Sequence, residues 1–131
     1  MARLIHLMIR VRDLRRSIDF YRDAFGFQET HRLDFPSFTL VYLRNDASPV
    51  EIELTLNKGR DSPYEHGDAY GHVAFAVADL AATHASFSQS GYQPTAIKRL
   101  ERDGETLASF FFLEDPDGYK IEVLQEGGHY R

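Results

Sequence analysis

The chain of 131 residues contains no cysteine. This absence excludes disulfides, thiolate metal ligands and cysteine nucleophiles. Long hydrophobic runs are also absent: no segment approaches the roughly 20 apolar residues of a membrane span, and the N-terminus has no signal-peptide core. We therefore expect a cytoplasmic protein that makes no membrane contact and whose chemistry uses nitrogen and oxygen donors.

Positive charge is scarce, with 15 Lys and Arg against 20 Asp and Glu and a net charge of −5. This balance argues against nucleic acid or an anionic membrane as a partner, because both are bound through basic surfaces. A hydrophobic content of 43% is ordinary for a globular protein. The length favours one domain, residues 1–131, over two independent domains.

The chain does contain an internal repeat. His6 opens a strand-like segment that ends at Asp13, and His72 opens a similar segment that ends at Asp79, 66 residues later in both cases (72 − 6 and 79 − 13). In each segment apolar residues alternate with others, and the aspartate is a typical N-cap for a helix. The residues predicted to face the core from these helices are Leu14, Ile18, Tyr21 and Phe25 in the first half and Leu80 and Phe87 in the second, with Gly26 and Gly91 as stops.

Strand-like runs complete each half of the sequence. They cover residues 38–43 and 50–56 in the first half and 110–113 and 120–124 in the second, with a less regular strand expected around 27–33 and 92–99. Each half is therefore predicted to be a βαβββ module, approximately 3–57 and 71–126, and the linker between them is rich in Gly, Asp and Pro. The sequence predicts an α+β domain made of two tandem modules.

The last strands of the two halves carry matching glutamates, Glu53 and Glu122, 69 residues apart (122 − 53). Alternate residues of a strand share a face, so in each module the histidine and the glutamate can point away from the apolar layer that faces the helix. Two histidines and two glutamates offer the donors that Zn, Ni, Co, Mn or Fe accept. We predict that His6, Glu53, His72 and Glu122 bind one divalent metal and leave coordination positions for water or substrate.

Two simpler interpretations stay open at this point. Both glutamates would be ordinary polar residues if their strand faces were solvated, and a single histidine is more often a packed or surface residue than a ligand. The duplication favours the metal. The other histidines have no counterpart in the repeat and are predicted to lie at the surface: His31, His66, His84 and His129.

Several motifs resemble the glyoxalase I (lactoylglutathione lyase) branch of the vicinal-oxygen-chelate superfamily, and they extend over nearly the whole chain. These are HLMIRV at 6–11, DLRRSIDFY at 13–21, IELT at 52–55 with Asn57 and Gly59, AYGH at 69–72, and EDPDGYKIE at 114–122. The last motif is common across the superfamily, whereas its combination with IELT and AYGH is typical of glyoxalase I.

The resemblance implies paired βαβββ modules that form incompletely closed, barrel-like sheets. It also implies that the four predicted ligands hold the metal, with Ni²⁺ preferred as in the short bacterial forms and Zn²⁺ or Co²⁺ as alternatives. Positions matching Arg10 and Asn57 hold the γ-glutamyl end of glutathione, the co-substrate. Arg10 lies on the same strand face as His6, about 13 Å further along, and a guanidinium there suits a carboxylate of such a ligand.

The reaction implied is isomerisation of the hemithioacetal of methylglyoxal and glutathione to S-lactoylglutathione through an enediolate, which detoxifies methylglyoxal. Glu122 is the expected base that moves a proton from C1 to C2, and Glu53 is a ligand with a share in the proton transfer. Sites of this family lie between two chains. We therefore expect a homodimer in which His6 and Glu53 of one subunit meet His72 and Glu122 of the other.

Other functions of the superfamily stay as alternatives: a coenzyme A-thioester epimerase, a thiol transferase, an extradiol dioxygenase, or a non-catalytic small-molecule-binding protein. Dioxygenases and thiol transferases use three protein ligands, so Glu53 as a fourth ligand disfavours them. The chain also departs from the family pattern in the loop that usually holds the glycyl carboxylate. In that loop Lys98, Arg99 and Arg102 alternate with acidic residues, which leaves the identity of the thiol open.

Overall fold

A computed structural model describes residues 1–131, and the chain divides into two compact units, Met1–Glu65 and His66–Arg131. Each unit has the element order strand, helix and three strands. The first contains β1 (His6–Val11), α1 (Leu14–Phe25), β2 (Gln28–Asp34), β3 (Phe38–Arg44) and β4 (Glu51–Asn57), and the second β5 (Val73–Val77), α2 (Leu80–Gln89), β6 (Lys98–Arg102), β7 (Glu105–Glu114) and β8 (Lys120–Gln125). Neither helix is long and apolar enough to cross a membrane.

Each unit contains one four-stranded mixed sheet. The strand orders are β1-β4-β3-β2 and β5-β8-β7-β6, and in each sheet the first pair is parallel while the other two are antiparallel. The parallel pair requires a crossover, which the helix supplies. Neither sheet closes on itself. The order of the elements and of the strands in each unit confirms the predicted α+β fold of two βαβββ modules.

One face of each sheet forms a core with its helix. In the first unit this face comprises Ile9, Val11, Val41, Leu43, Ile52 and Leu54, and in the second Phe111, Leu113, Ile121 and Val123, all of them buried. Leu80 and Phe87 of α2 are buried as predicted. Because successive side chains of a strand alternate in direction, the glutamates between these core residues point to the opposite face.

Both helices begin at the predicted aspartates. The Asp13 carboxylate accepts a hydrogen bond from the backbone N–H of Arg16, and the Asp79 carboxylate accepts one from that of Ala82. Helix α1 ends at Gly26, which adopts the left-handed conformation (φ 68°) that favours glycine.

The predicted buried face of α1 was only partly right. Tyr21 is buried, but the other fully covered residues of the helix are Ser17 and Phe20, whereas Leu14, Ile18 and Phe25 are only half-buried. The buried stripe of the helix is formed by Ser17 together with Phe20 and Tyr21. A pattern based on apolar residues alone cannot detect a buried serine.

The second strand of the second unit, β6, lies later in the sequence than predicted. Residues 92–97 are irregular, and the strand occupies Lys98–Arg102, which the sequence analysis treated as a loop. It forms a hairpin with β7 through Asp103 and Gly104, both with positive φ (52° and 79°), and Asp-Gly favours this kind of turn. Pro94 cannot donate a backbone hydrogen bond and so opposes a strand across 92–99.

Candidate metal centre

The first unit brings His6 and Glu53 together. His6 Nε2 lies 2.8 Å from Glu53 Oε2, and the glutamate side chain is only 11% exposed. The two residues come from adjacent strands, since Met8 of β1 is the register partner of Glu53 on β4 and His6 shares the face of Met8. A nearly buried carboxylate requires a positive or hydrogen-bonding partner, and the imidazole provides one.

The second unit repeats this arrangement. His72 Nε2 lies 2.6 Å from Glu122 Oε2, and the glutamate side chain is 15% exposed. His72 stands one residue before β5, and Ala74, two residues later, is the register partner of Glu122. The duplicated sequence has therefore produced duplicated geometry.

Each pair fits two neighbouring positions around a divalent ion. Ligands about 2.1 Å from a metal and at right angles to each other are separated by about 3 Å, close to both measured distances. No group of three or more His, Asp or Glu side chains in the chain is arranged to hold a metal. Each unit therefore brings together one of the predicted histidines and one of the predicted glutamates.

An aromatic ring stands beside each pair, but the two rings differ chemically. Tyr42 on β3 is the register partner of Glu53, and its ring lies edge-on to His6 with centroids 5.7 Å apart. Phe112 on β7 is the partner of Glu122 and lies edge-on to the His72 ring at 5.5 Å.

The tyrosine hydroxyl gives the first pair an additional interaction. Burial raises the pKa of Tyr42, and the charge of Glu53 and a hydrogen bond to that carboxylate raise it further. A phenylalanine offers no such bond. The two carboxylates therefore have different surroundings, a difference that sequence analysis missed because Tyr42 and Phe112 both look like ordinary strand aromatics.

Beyond the His–Glu pairs, the two sheet faces differ in polarity. On β4 the residues after Glu53 on its face are Thr55 and Asn57, and Arg10 on β1 is the register partner of Thr55. At the equivalent positions of the second sheet stand Ala76, Leu124 and Glu126 (10 + 66, 55 + 69 and 57 + 69). Only in the first sheet does a row of polar residues continue along the strands from the His–Glu pair. We call this row, Arg10, Thr55 and Asn57, the polar ladder.

Thr55 lies at the centre of this ladder and was not singled out from the sequence. It is 8% exposed, and its buried hydroxyl has no hydrogen-bond partner. A buried hydroxyl without a partner is costly, so it favours a polar ligand at this position. The IELT motif contained this residue, but only its burial distinguishes it from an ordinary strand threonine.

The two predicted substrate-binding residues lie on the same face. Arg10 is exposed, and Asn57 is half-buried at the end of β4. The Asn57 amide Nδ2 donates a hydrogen bond to the Tyr64 hydroxyl at 3.1 Å.

The remaining histidines belong to neither His–Glu pair. His31 and His129 are exposed as predicted. His66 and His84 are half-buried, so the surface prediction was wrong for these two. His66 stacks on Tyr119 at 4.2 Å and the His84 ring contacts the Thr95 carbonyl oxygen at 2.9 Å, which explains their burial.

Comparison with known protein families gives a match over residues 3–123 to the model of the glyoxalase/bleomycin resistance protein/dioxygenase superfamily. The lactoylglutathione lyase of Haemophilus influenzae is 43% identical over 126 residues, which cover 93% of this chain and 91% of that protein. The lactoylglutathione lyase of Escherichia coli O157:H7 is 40% identical over 128 residues, covering 95% and 93%.

Solved structures give the same result. The trypanothione-dependent glyoxalase I of Leishmania major superposes with a TM-score of 0.77 at 37% identity and covers 96% of this chain and 88% of that one. Glyoxalase I from Zea mays gives a TM-score of 0.82 at 30% identity, with 96% of this chain matching 45% of that longer chain.

Proposed function

Because the chain belongs to the glyoxalase/bleomycin resistance protein/dioxygenase superfamily, we propose that its two His–Glu pairs are the metal ligands of a glyoxalase I. The activity is that of a lactoylglutathione lyase, as in curated relatives 38–43% identical over most of the chain. The single observation that carries the residue assignment is the pair of His–Glu contacts at repeat-related positions in two units. The substrate is a hemithioacetal of methylglyoxal and glutathione.

The relatives imply a divalent metal, and His6, Glu53, His72 and Glu122 would hold it. When bound, the ion supplies Lewis-acid stabilisation of negative charge that develops on adjacent substrate oxygens. We propose Ni²⁺ as the native ion, with Zn²⁺ and Co²⁺ as alternatives that suit the same nitrogen and oxygen donors.

We assign different roles to the two glutamates. The Tyr42 hydroxyl binds Glu53 and so holds this carboxylate in place, which suits a ligand with a minor share in proton transfer. Glu122 has no such bond from Phe112, and its side chain is slightly more exposed (15% against 11%). Glu122 would remove the proton from C1 and return it to C2, a role that requires a carboxylate able to act as a base.

The polar ladder of the first sheet is proposed to bind the peptide arm of the thiol. Arg10 would pair with the γ-glutamyl carboxylate and Asn57 would contact the same group. The buried Thr55 hydroxyl, which lacks a partner, supports a polar ligand between them. The second face carries Ala74, Ala76 and Phe112, with the Lys120 Nζ 4.2 Å from the centre of the Phe112 ring.

Assembly follows from the need for four ligands. We propose a cytoplasmic homodimer in which His6 and Glu53 of one subunit join His72 and Glu122 of the partner subunit, so that modules 3–57 and 71–126 of different chains complete each site. The N-terminal segment and β1 support this arrangement, since they expose the apolar residues Leu4, Ile5, Leu7 and Met8 on both sides of His6. Such a patch favours a protein partner.

An assay of chelator-treated and metal-reconstituted protein on methylglyoxal with glutathione tests the proposal. Chelation should abolish formation of S-lactoylglutathione, and Ni²⁺, Co²⁺ or Zn²⁺ should restore it to different extents. Trypanothione is the comparison thiol, because the Leishmania major relative depends on it. Full activity in metal-free protein would reject the metal site. Turnover of trypanothione adducts alone would show that the thiol is trypanothione and not glutathione.

A further inference from the structure

Asn57 belongs to a short loop that is closed by its own side chains. The Asn57 backbone carbonyl accepts a hydrogen bond from the N–H of Arg60, and its amide Nδ2 donates to the Tyr64 hydroxyl at 3.1 Å. Both the main chain and the side chain of Asn57 are therefore held by the segment that follows β4.

Arg60 keeps Tyr64 in place. Its guanidinium lies 4.1 Å from the centre of the Tyr64 ring, and it donates to the carbonyl oxygens of Ser62 (3.2 Å) and Pro63 (2.9 Å). A cation over an aromatic face is attractive, and the two carbonyl contacts hold the backbone that leads into the tyrosine. The ring is thus held where its hydroxyl accepts the hydrogen bond from the asparagine amide.

This contact determines which end of the Asn57 carboxamide is available to a ligand. A carboxamide has NH₂ donors on one side and a carbonyl acceptor on the other. Since Nδ2 is directed to Tyr64, the Oδ1 atom remains to accept a hydrogen bond from a ligand. A ligand ammonium group requires such an acceptor.

Arg10 supplies the complementary charge. It is the register partner of Thr55, and Asn57 lies two residues further along the same face of β4. A guanidinium and a carbonyl oxygen on neighbouring strands match the carboxylate and ammonium of a free α-amino acid group, which is the end of a γ-glutamyl residue.

We propose that Tyr64 is a positioning residue that holds Asn57 with its carbonyl oxygen toward the ligand, and thereby selects thiols with a free α-ammonium group. This inference rests on the proposed function, because it concerns the thiol of that reaction. Tyr64 acts through Asn57 and touches neither the metal ligands nor the reacting carbons.

The test is Tyr64→Phe, which removes the hydroxyl and keeps the ring beside Arg60. For the glutathione hemithioacetal KM should rise about 5- to 10-fold with little change in kcat, as expected for a lost hydrogen bond to a charged group. For the hemithioacetal of N-acetylglutathione, which lacks the ammonium group, wild type and Tyr64→Phe should have equal KM values. In an Asn57→Ala background, Tyr64→Phe should have no further effect.

Tyr92→Phe is the matched control, because it removes a hydroxyl in the other unit, where the ring contacts Phe87 of α2. It should leave both KM values unchanged. Binding of S-methylglutathione and its N-acetyl derivative to the metal-loaded protein, measured by calorimetry, gives a readout that does not depend on turnover. Tyr64→Phe should weaken only the ligand with the free ammonium group.

An equal loss for both ligands would assign Tyr64 a merely structural role and overturn the inference, as would no loss for either. A wild-type protein that binds both ligands equally would overturn it as well. A protein without lyase activity that still shows the Tyr64-dependent binding preference would reject the proposed function and support this inference.

Discussion

At the level of single residues, the two His–Glu pairs are nearly equal in geometry and unequal in surroundings. The measured N–O distances differ by 0.2 Å (2.8 against 2.6 Å), yet Tyr42 stands beside one carboxylate and Phe112 beside the other. On this difference rests the proposal that Glu53 is a fixed ligand and that Glu122 exchanges a proton.

Glu122→Gln tests the assignment of the base. With saturating metal and measured occupancy, kcat should fall about 10²- to 10⁴-fold, the usual contribution of a general base. Glu53→Gln should show a larger loss of metal affinity relative to its loss of turnover. Normal turnover in a fully occupied Glu122→Gln variant would remove that residue from the base role.

Tyr42→Phe tests the role of the hydroxyl, because it makes the first pair resemble the second. Loss of one hydrogen bond to a charged carboxylate should weaken metal binding about 10-fold while leaving the fold intact. Metal titration measures the loss of affinity, and circular dichroism of the same variant shows whether the fold is intact. Phe112→Leu, which removes no hydrogen bond to a glutamate, is the control, and an equal loss of affinity there would show that ring packing alone is responsible.

The residues that sequence reasoning identified and those that it missed differ in a physical respect. His6, Glu53, His72 and Glu122 recur at fixed offsets, so the repeat itself marked them. Thr55, Tyr42 and Tyr64 have no repeated signature, because their importance depends on burial, on cross-strand register and on a loop contact. None of these is encoded in local composition.

At the level of secondary structure, the helix starts were the most predictable features. A short polar side chain just before a helix can accept a hydrogen bond from a backbone N–H of the first turn, and Asp13 and Asp79 both do so. The position of β6 was less predictable, because it depends on pairing with β7 through the Asp103-Gly104 turn. A strand whose side chains are all exposed carries no alternation of apolar and polar residues.

The two N-cap aspartates, Asp13 and Asp79, stabilise the folded chain by a measurable amount. Asp13→Ala and Asp79→Ala should each lower the free energy of unfolding by about 1 kcal/mol, because each leaves a helix-terminal N–H without its acceptor. Urea denaturation of the metal-free protein measures this change. Asp13→Asn and Asp79→Asn retain an acceptor and should stay within a few tenths of a kcal/mol of wild type, and an equal loss in these controls would attribute the effect to charge.

At the level of the whole molecule, each unit has its own core and one His–Glu pair, and the proposed shared site can be tested with mixed dimers. One subunit lacking His6 and Glu53 can be combined with another lacking His72 and Glu122, and each homodimer alone should be inactive. In the purified mixed dimer, one site has all four native ligands and the other has none, so activity should return to about half that of a normal dimer. Failure to recover activity, with the mixed dimer verified by mass spectrometry, would contradict the shared site.

Because apolar residues are exposed around His6, metal affinity in the proposed dimer should depend on protein concentration. In the proposed dimer the surface that hides Leu4, Ile5, Leu7 and Met8 is continuous with the ligand His6, so subunit association and metal affinity are linked equilibria. Dilution should then release metal even when the free metal concentration is held constant, and added metal should lower the dimer dissociation constant. The melting temperature of the metal-loaded protein should rise with protein concentration.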